Sequence, residues 1–188
     1  FLPTDSLYLV RSSPRESLSL ILTAAILKNM RESLDLDVID PTGARALACL
    51  RRYYEELAGR FEFGYDPGGD LAFSSEDLAP PRGLFLVARA GDEDAGCGGV
   101  KFCDDFAEVK RMWVDPKRRG AGLGRRILAE LEKLAAEAGY SRIRLDTHDS
   151  LDEAKRLYLK AGYRDIPRYN GNPYAQRWFE KELEGAAG

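Results

Sequence analysis

Glu108-Val109-Lys110-Arg111-Met112-Trp113-Val114-Asp115-Pro116-Lys117-Arg118-Arg119-Gly120-Ala121-Gly122-Leu123-Gly124-Arg125-Arg126 is the stretch whose reading decides the fold. It reads as a strand, a short basic loop, a glycine-rich turn and the first turn of a helix. A helix start leaves backbone N–H groups without internal acceptors, and the helix dipole places partial positive charge there. Glycine at positions 120, 122 and 124 removes the Cβ that would hold a bulky ligand away. Arg119, Arg125 and Arg126 add positive charge. Together these features predict an anion site, most naturally for a diphosphate.

The kind of diphosphate follows from spacing. A P-loop needs Gly-Lys-Ser or Gly-Lys-Thr after the glycines, whereas Leu123-Gly124-Arg125 stands here. A dinucleotide fingerprint starts at the strand end and has an acid about 20 residues on. Asp146 ends a later strand and supports that rival, but Asp115 to Arg119 separates the strand from the glycines.

Downstream, Gly122 to Ala138 carries Ile127, Leu128, Leu131, Leu134 and Ala135 at helical spacing, and Gly139 ends the helix. Ser141 to Asp146 is a strand; joined through a helix, it runs parallel to the one before the glycines. Asp152 to Lys160 is a shorter helix stopped at Gly162, and strands follow near Tyr163–Ile166 and Gln176–Leu183. Upstream, Leu84–Arg89, Ala95–Phe102 and Phe106–Val114 form an antiparallel meander with turns at Gly91–Asp94 and Asp104-Asp105.

Residues 34–40 alternate as a half-buried strand, and Thr42 is placed to cap a helix carrying Ala46, Leu47, Leu50, Tyr53, Tyr54 and Leu57. Residues 59–82, rich in glycine and proline, predict a long loop with a helical turn near Ser75–Leu78, suited to wall an acceptor site. The first 35 residues read as an extension. Ser13-Pro14-Arg15-Glu16 starts a helix that is apolar around more than half its circumference, which suits packing between two surfaces, one of them a second subunit in a homodimer. A signal-peptide core is the rival reading there.

A net charge of -3 gives no bulk attraction to nucleic acid, so the basic cluster suits a small polyanion. No apolar run reaches the about 20 residues needed to cross a bilayer. Cys49, Cys97 and Cys103 have no metal-type spacing and fit a reducing cytoplasm; His148, the single histidine, cannot build a metal centre alone.

Arg119-Gly120-Ala121-Gly122-Leu123-Gly124, after a strand ending Val114-Asp115-Pro116, resembles the acetyl-coenzyme A motif of the GNAT superfamily of acyltransferases. The resemblance extends over residues 36–184 and is densest at 84–183. It implies an α/β fold with a mixed sheet of about seven strands and flanking helices, here a domain over 36–188 preceded by the extension at 1–35. It implies that Met112, Trp113 and Val114 pair with the pantetheine arm of acetyl-CoA. The pyrophosphate falls to Arg119, Gly120, Ala121, Gly122, Leu123, Gly124 and Arg125.

Glu108, in Phe106-Ala107-Glu108, matches the general-base glutamate of histone-type members. Even spacing puts it on one face with Met112 and Val114 unless a bulge intervenes. Ala154-Lys155-Arg156-Leu157-Tyr158-Leu159-Lys160-Ala161-Gly162-Tyr163 resembles the family signature whose tyrosine protonates the departing thiolate, which assigns that role to Tyr158. Leu151 replaces a frequent asparagine, so one polar cofactor contact is absent. The loop 167–175 offers Arg168, Tyr169, Asn170, Asn172 and Tyr174 to a polar or carboxylate-bearing acceptor. The expected reaction is transfer of an acetyl group from acetyl-CoA to a small-molecule primary amine in a ternary complex, without an acyl-cysteine or a metal. A coenzyme A sensor without turnover and a dinucleotide oxidoreductase are the alternatives.

Overall fold

The computed structural model describes residues 34–62, 64–66 and 73–184. The expected helix within residues 1–35 lies outside them.

Seven strands form one sheet in the order β1-β2-β3-β4-β5-β7-β6. β1 (Leu34–Ile39), β2 (Gly83–Ala90), β3 (Glu93–Phe102) and β4 (Ala107–Val114) make an antiparallel meander. β5 (Arg142–Thr147) runs parallel to β4, and β7 (Arg177–Glu182) runs antiparallel to β5 with the two-residue β6 (Arg164–Asp165) at its edge. The helices are α1 (Ala44–Arg60), α2 (Leu123–Glu137) and α3 (Asp152–Lys160), with a 3-10 turn at Phe73–Leu78.

Both faces of the sheet are covered, which is why β2 reads as an unbroken apolar run rather than an alternating one. Phe85 and Val87 pack with Leu50 and Tyr54 of α1, while Leu86 and Ala88 pack with Ile127, Leu128 and Leu131 of α2. α2 lies close over β3 because Gly96 and Gly98 carry no Cβ: one added at Gly98 would stand 2.9 Å from Leu131 Cδ1. α1 also buries Cys49, which the periodicity reading leaves out.

Thr42 does not cap α1. Its N–H and Oγ1–H both donate to Asp40 Oδ1, at 2.8 and 2.7 Å, and Gly43 occupies the cap position with no side-chain bond. Local competition for a short acidic side chain has won over the helix end.

β4 carries the departure that matters most for the site. Cys97 pairs with Trp113 but Gly99 pairs with Lys110, so Arg111 and Met112 oppose Gly98 alone. Arg111 has φ 56°, the positive-φ non-glycine residue of the described chain. This bulge shifts the alternation by one. Ala107 and Val109 face α2 before it, Met112 and Val114 face α2 after it, and Trp113 packs with the α1 cluster. Glu108 therefore lies on the opposite face from Met112 and Val114.

The three strands at the far edge are stitched by Glu180, which is buried and accepts from Arg144 Nε at 2.8 Å and from Arg164 at 2.9 Å. The Arg164 bond, then the Arg144 bond against the cost of burial, holds this carboxyl below the usual glutamate range. A depressed carboxyl pKa stabilises the fold above the unfolded value and loses that effect as pH falls through the folded one. Glu180→Ala is expected to destabilise by about 2 kcal/mol at pH 7. In thermal melts the gap from the parent protein should narrow as pH drops below about 4. A gap that widens toward acid would show that the carboxylate is not what Arg144 and Arg164 hold.

Candidate active site

The β4–β5 ladder is short. Only Ala107↔Ile143 and Glu108↔Arg144 pair, and beyond them the strands separate. A cleft of about 350 Å³ lies along the separated part. Met112, Trp113 and Val114 line one side, and Leu151, Ala154, Leu157 and Tyr158 of the α3 segment line the other. Arg119, Gly120, Gly122, Leu123, Gly124 and Arg125 close one end; Ala121 is exposed beside them and is not part of the lining.

Gly120 and Gly122 both have φ +83°, and a Cβ added to either would meet nothing within 4 Å. Glycine is required there by the left-handed backbone, not by crowding within the chain. Gly122 caps α2 without a side-chain bond, and its carbonyl accepts from Arg126 N at 3.2 Å, so the amides of residues 123–125 precede the first helical bond. Open space over these glycines and amides suits an approaching pyrophosphate, and the apolar walls suit a pantetheine arm.

Arg119 lines the cleft and is also bonded into the fold. Its Nε donates to Val114 O at 3.1 Å, and its guanidinium pairs with Glu56 at 2.6 Å; Glu56 also accepts from Trp113 Nε1 at 2.9 Å. Arg119 thus ties the end of β4 to α1. Arg125 NH1 donates to Lys160 O at 3.2 Å and spans α2 and α3.

A second cavity, about 90 Å³, shares Tyr53, Leu57, Met112, Leu151, Ala154 and Tyr158 with the cleft. Its own lining includes Lys110, Arg111, Asp146, His148, Asn172 and Tyr174. Tyr158 stands where the two meet. It is buried, and its hydroxyl makes no hydrogen bond with the described residues. Burial, and then the negative charge of Asp146, push that hydroxyl above the ordinary tyrosine range, so it keeps its proton.

Glu108 is buried and does not line either cavity. Its Oε1 accepts from Tyr169 Oη at 2.9 Å, Asn170 Nδ2 at 3.0 Å and Lys110 Nζ at 2.8 Å. Asn170 and Lys110 also reach Asp146 Oδ2, the latter at 3.4 Å, and Asn172 Nδ2 donates to Asp146 Oδ1 at 2.9 Å. The two carboxylates form one network in which Asp146 is the member at the cavity wall.

The loop residues divide accordingly. Asn172 and Tyr174 line the cavity, while Tyr169 and Asn170 brace the carboxylates behind it. Arg168 turns away, donating to Asn170 O at 2.8 Å with its guanidinium 5.7 Å from the Trp178 ring centre. From the long loop, Phe61 and Tyr65 line the cavity, and the Asp66 N–H donates to Tyr174 Oη at 3.2 Å.

Sequence reading missed Asp146 as a cavity residue, and with it Arg111 and His148. His148 stacks on Phe61 at 4.2 Å, and its Nδ1 accepts from Ser150 N at 3.1 Å. Asp146 carried one signal, its place at a strand end; Arg111 and His148 carried none. Among the described residues no three metal-type side chains converge, and no helix is long and apolar enough to cross a membrane.

A cleft between parted parallel strands, ending on the amides that open a helix, has the shape and donors that a coenzyme A-dependent acyltransferase would need for its acyl donor. Residues 50–163 match the Acetyltransferase (GNAT) family, more than half of the 188-residue chain, and the protein belongs to that family. An uncharacterized N-acetyltransferase of Schizosaccharomyces pombe is 36% identical over 124 residues, 60% of this chain and 74% of that protein. Among solved structures, a putative acyl-CoA N-acyltransferase of Klebsiella pneumoniae is similar with a TM-score of 0.63 and 28% identity, over 80% of this chain and 98% of that one. The PaiA N-acetyltransferase of Thermoplasma acidophilum, solved in complex with coenzyme A, shares the fold with a TM-score of 0.61 and 18% identity, over 80% and 99%. The protein is an N-acetyltransferase-type acyltransferase, and acetyl-CoA is its acyl donor.

Proposed function

We propose that the protein acetylates the primary amine of a small molecule by direct attack within a ternary complex. The observation that carries this reading is the position of Tyr158, which lines both the donor cleft and the second cavity and whose hydroxyl has no hydrogen-bond partner among the described residues. Bound acetyl-CoA supplies an activated acetyl group as a thioester. Residues 120–125 would hold its pyrophosphate, and the β4 edge at Met112 to Val114 would align its arm.

The chain's own residues then handle protons. The acceptor occupies the second cavity with its nitrogen toward Asp146, which takes the ammonium proton directly or through one water. As the N–C bond replaces the C–S bond, Tyr158 Oη would give its proton to the departing sulfur and recover one from the new amide nitrogen, directly or through water. Glu108, the carboxylate favoured by sequence, stands behind Asp146 and shares Lys110 and Asn170 with it. No cysteine among the described residues lines the cleft or the cavity, in keeping with direct transfer.

Thiol release from acetyl-CoA, followed across an amine panel, tests this reading. Asp146→Asn is expected to lower kcat about thirtyfold or more, and Glu108→Gln less than tenfold. The reverse order would move the base to Glu108. Amine-independent rates alone would remove the small-amine reading.

A further inference from the structure

The proposed reading leaves one charged group of the acceptor cavity without a task, and that group points to what the acceptor must carry. Arg111 sits at the β4 bulge with φ 56°, a left-handed backbone that is unfavourable for a residue carrying a side chain. The Cys97 thiol donates to its carbonyl at 3.5 Å and helps hold this conformation. The bulge places the side chain in the wall of the second cavity, with the guanidinium 5.5 Å from the Tyr54 ring centre. Strain kept at a cavity wall is a common mark of a functional position.

No carboxylate of the described residues stands within ion-pair distance of the guanidinium, and Asp146 acts on it only from further off. The guanidinium Nε is buried with no hydrogen-bond partner. Other cations near the two cavities are matched. Lys110 is neutralised by Glu108 and Asp146, Arg119 by Glu56, and Arg144 by Glu180. Arg89 also has an unpartnered Nε, but its NH2 meets Asp35 at 3.3 Å. A part-buried guanidinium with a ring face beside it but no hydrogen-bonded anion is unfavourable unless a ligand completes it. Arg111 does not line the donor cleft, so the anion it awaits is not the coenzyme A diphosphate.

The charges around the cavity define the complement. Glu108 and Asp146 share one lysine, which leaves an excess negative charge at the Asp146 end. Arg111 supplies the positive charge, and both Asp146 and Arg111 line the same cavity. A guanidinium fork matches a carboxylate in two parallel bonds. We infer that the acceptor is an amino acid or amino-acid-like molecule, with its amine toward Asp146 and its carboxylate on Arg111. This rests on the acetyltransfer to a small amine proposed above. Arg111 is then a specificity-determining residue, rewarding acceptors that carry the carboxylate.

The experiment follows thiol release from acetyl-CoA with the common α-amino acids and with β- and γ-amino acids. Each is paired with the amine that lacks only the carboxylate. For acceptors that turn over, kcat/KM should favour the carboxylate form by about a hundredfold. Arg111→Gln should reduce that ratio to below about fivefold, and Arg111→Lys should restore part of it. Calorimetric affinity of each variant for acetyl-CoA shows that the fold is kept. Turnover with a ratio near one, or a ratio untouched by Arg111→Gln, would overturn the inference and leave small-amine acetylation standing. No release above the acceptor-free rate with either class, acetyl-CoA still binding, would overturn both.

Discussion

Tyr158→Phe is expected to lower kcat about a thousandfold while leaving the affinity for acetyl-CoA within twofold. The substitution removes one oxygen and little else. The ring keeps its packing against Tyr163 and Phe179, each with centroids 5.9 Å away. The hydroxyl makes no hydrogen bond with the described residues, so the melting temperature should hold or rise slightly. What disappears is the proton available to the departing sulfur. Because burial and Asp146 raise the pKa of this hydroxyl, the parent enzyme should show no loss of the acid form up to about pH 9. Steady-state thiol release in both proteins, with calorimetry for acetyl-CoA, measures all three. A kcat within threefold of the parent would remove Tyr158 from the chemistry.

Gly122→Val should raise the Kd for acetyl-CoA at least a hundredfold, equivalent to about 2.7 kcal/mol. The left-handed region is a severe outlier for a β-branched residue, so the turn must rotate. Rotation swings the amides that open α2 away from the common point where they meet an anion. Valine's Cβ collides with nothing in the chain itself, which separates this effect from simple overpacking. Stability should fall only by the backbone penalty, about 1–2 kcal/mol. An unchanged Kd with a folded variant would show that the turn is not where the pyrophosphate rests.

The parts of this molecule legible in the sequence are those set by local rules. α3 at Asp152–Lys160 falls where the apolar spacing and Gly162 place it. The β2–β4 meander and the parallel β5 follow from run length, turn residues and a helical crossover. The glycine turn was legible because left-handed backbone and helix starts have compositional marks. Illegible were the features that depend on partners far along the chain. The β4 bulge arises in pairing with β3, and no residue near Arg111 announces it. It moves Glu108 to the other face and exposes a charge that spacing alone would place elsewhere. Arg119 reads as a phosphate ligand from its motif, but nothing local shows that Glu56, 63 residues away, also pairs with it. The polar loop at 168–174 was recognisable as functional in type. Which of its side chains reach the cavity depends on Asp146 and Glu108, to which no local pattern ties them.

A crystal structure of the protein with coenzyme A is the most direct measurement. The pyrophosphate should accept from the amides of the turn at residues 120–125, and the thiol should lie between the parted β4 and β5 strands within reach of Tyr158 Oη. Coenzyme A bound with its diphosphate away from that turn, or its sulfur outside the β4–β5 opening, would contradict the account.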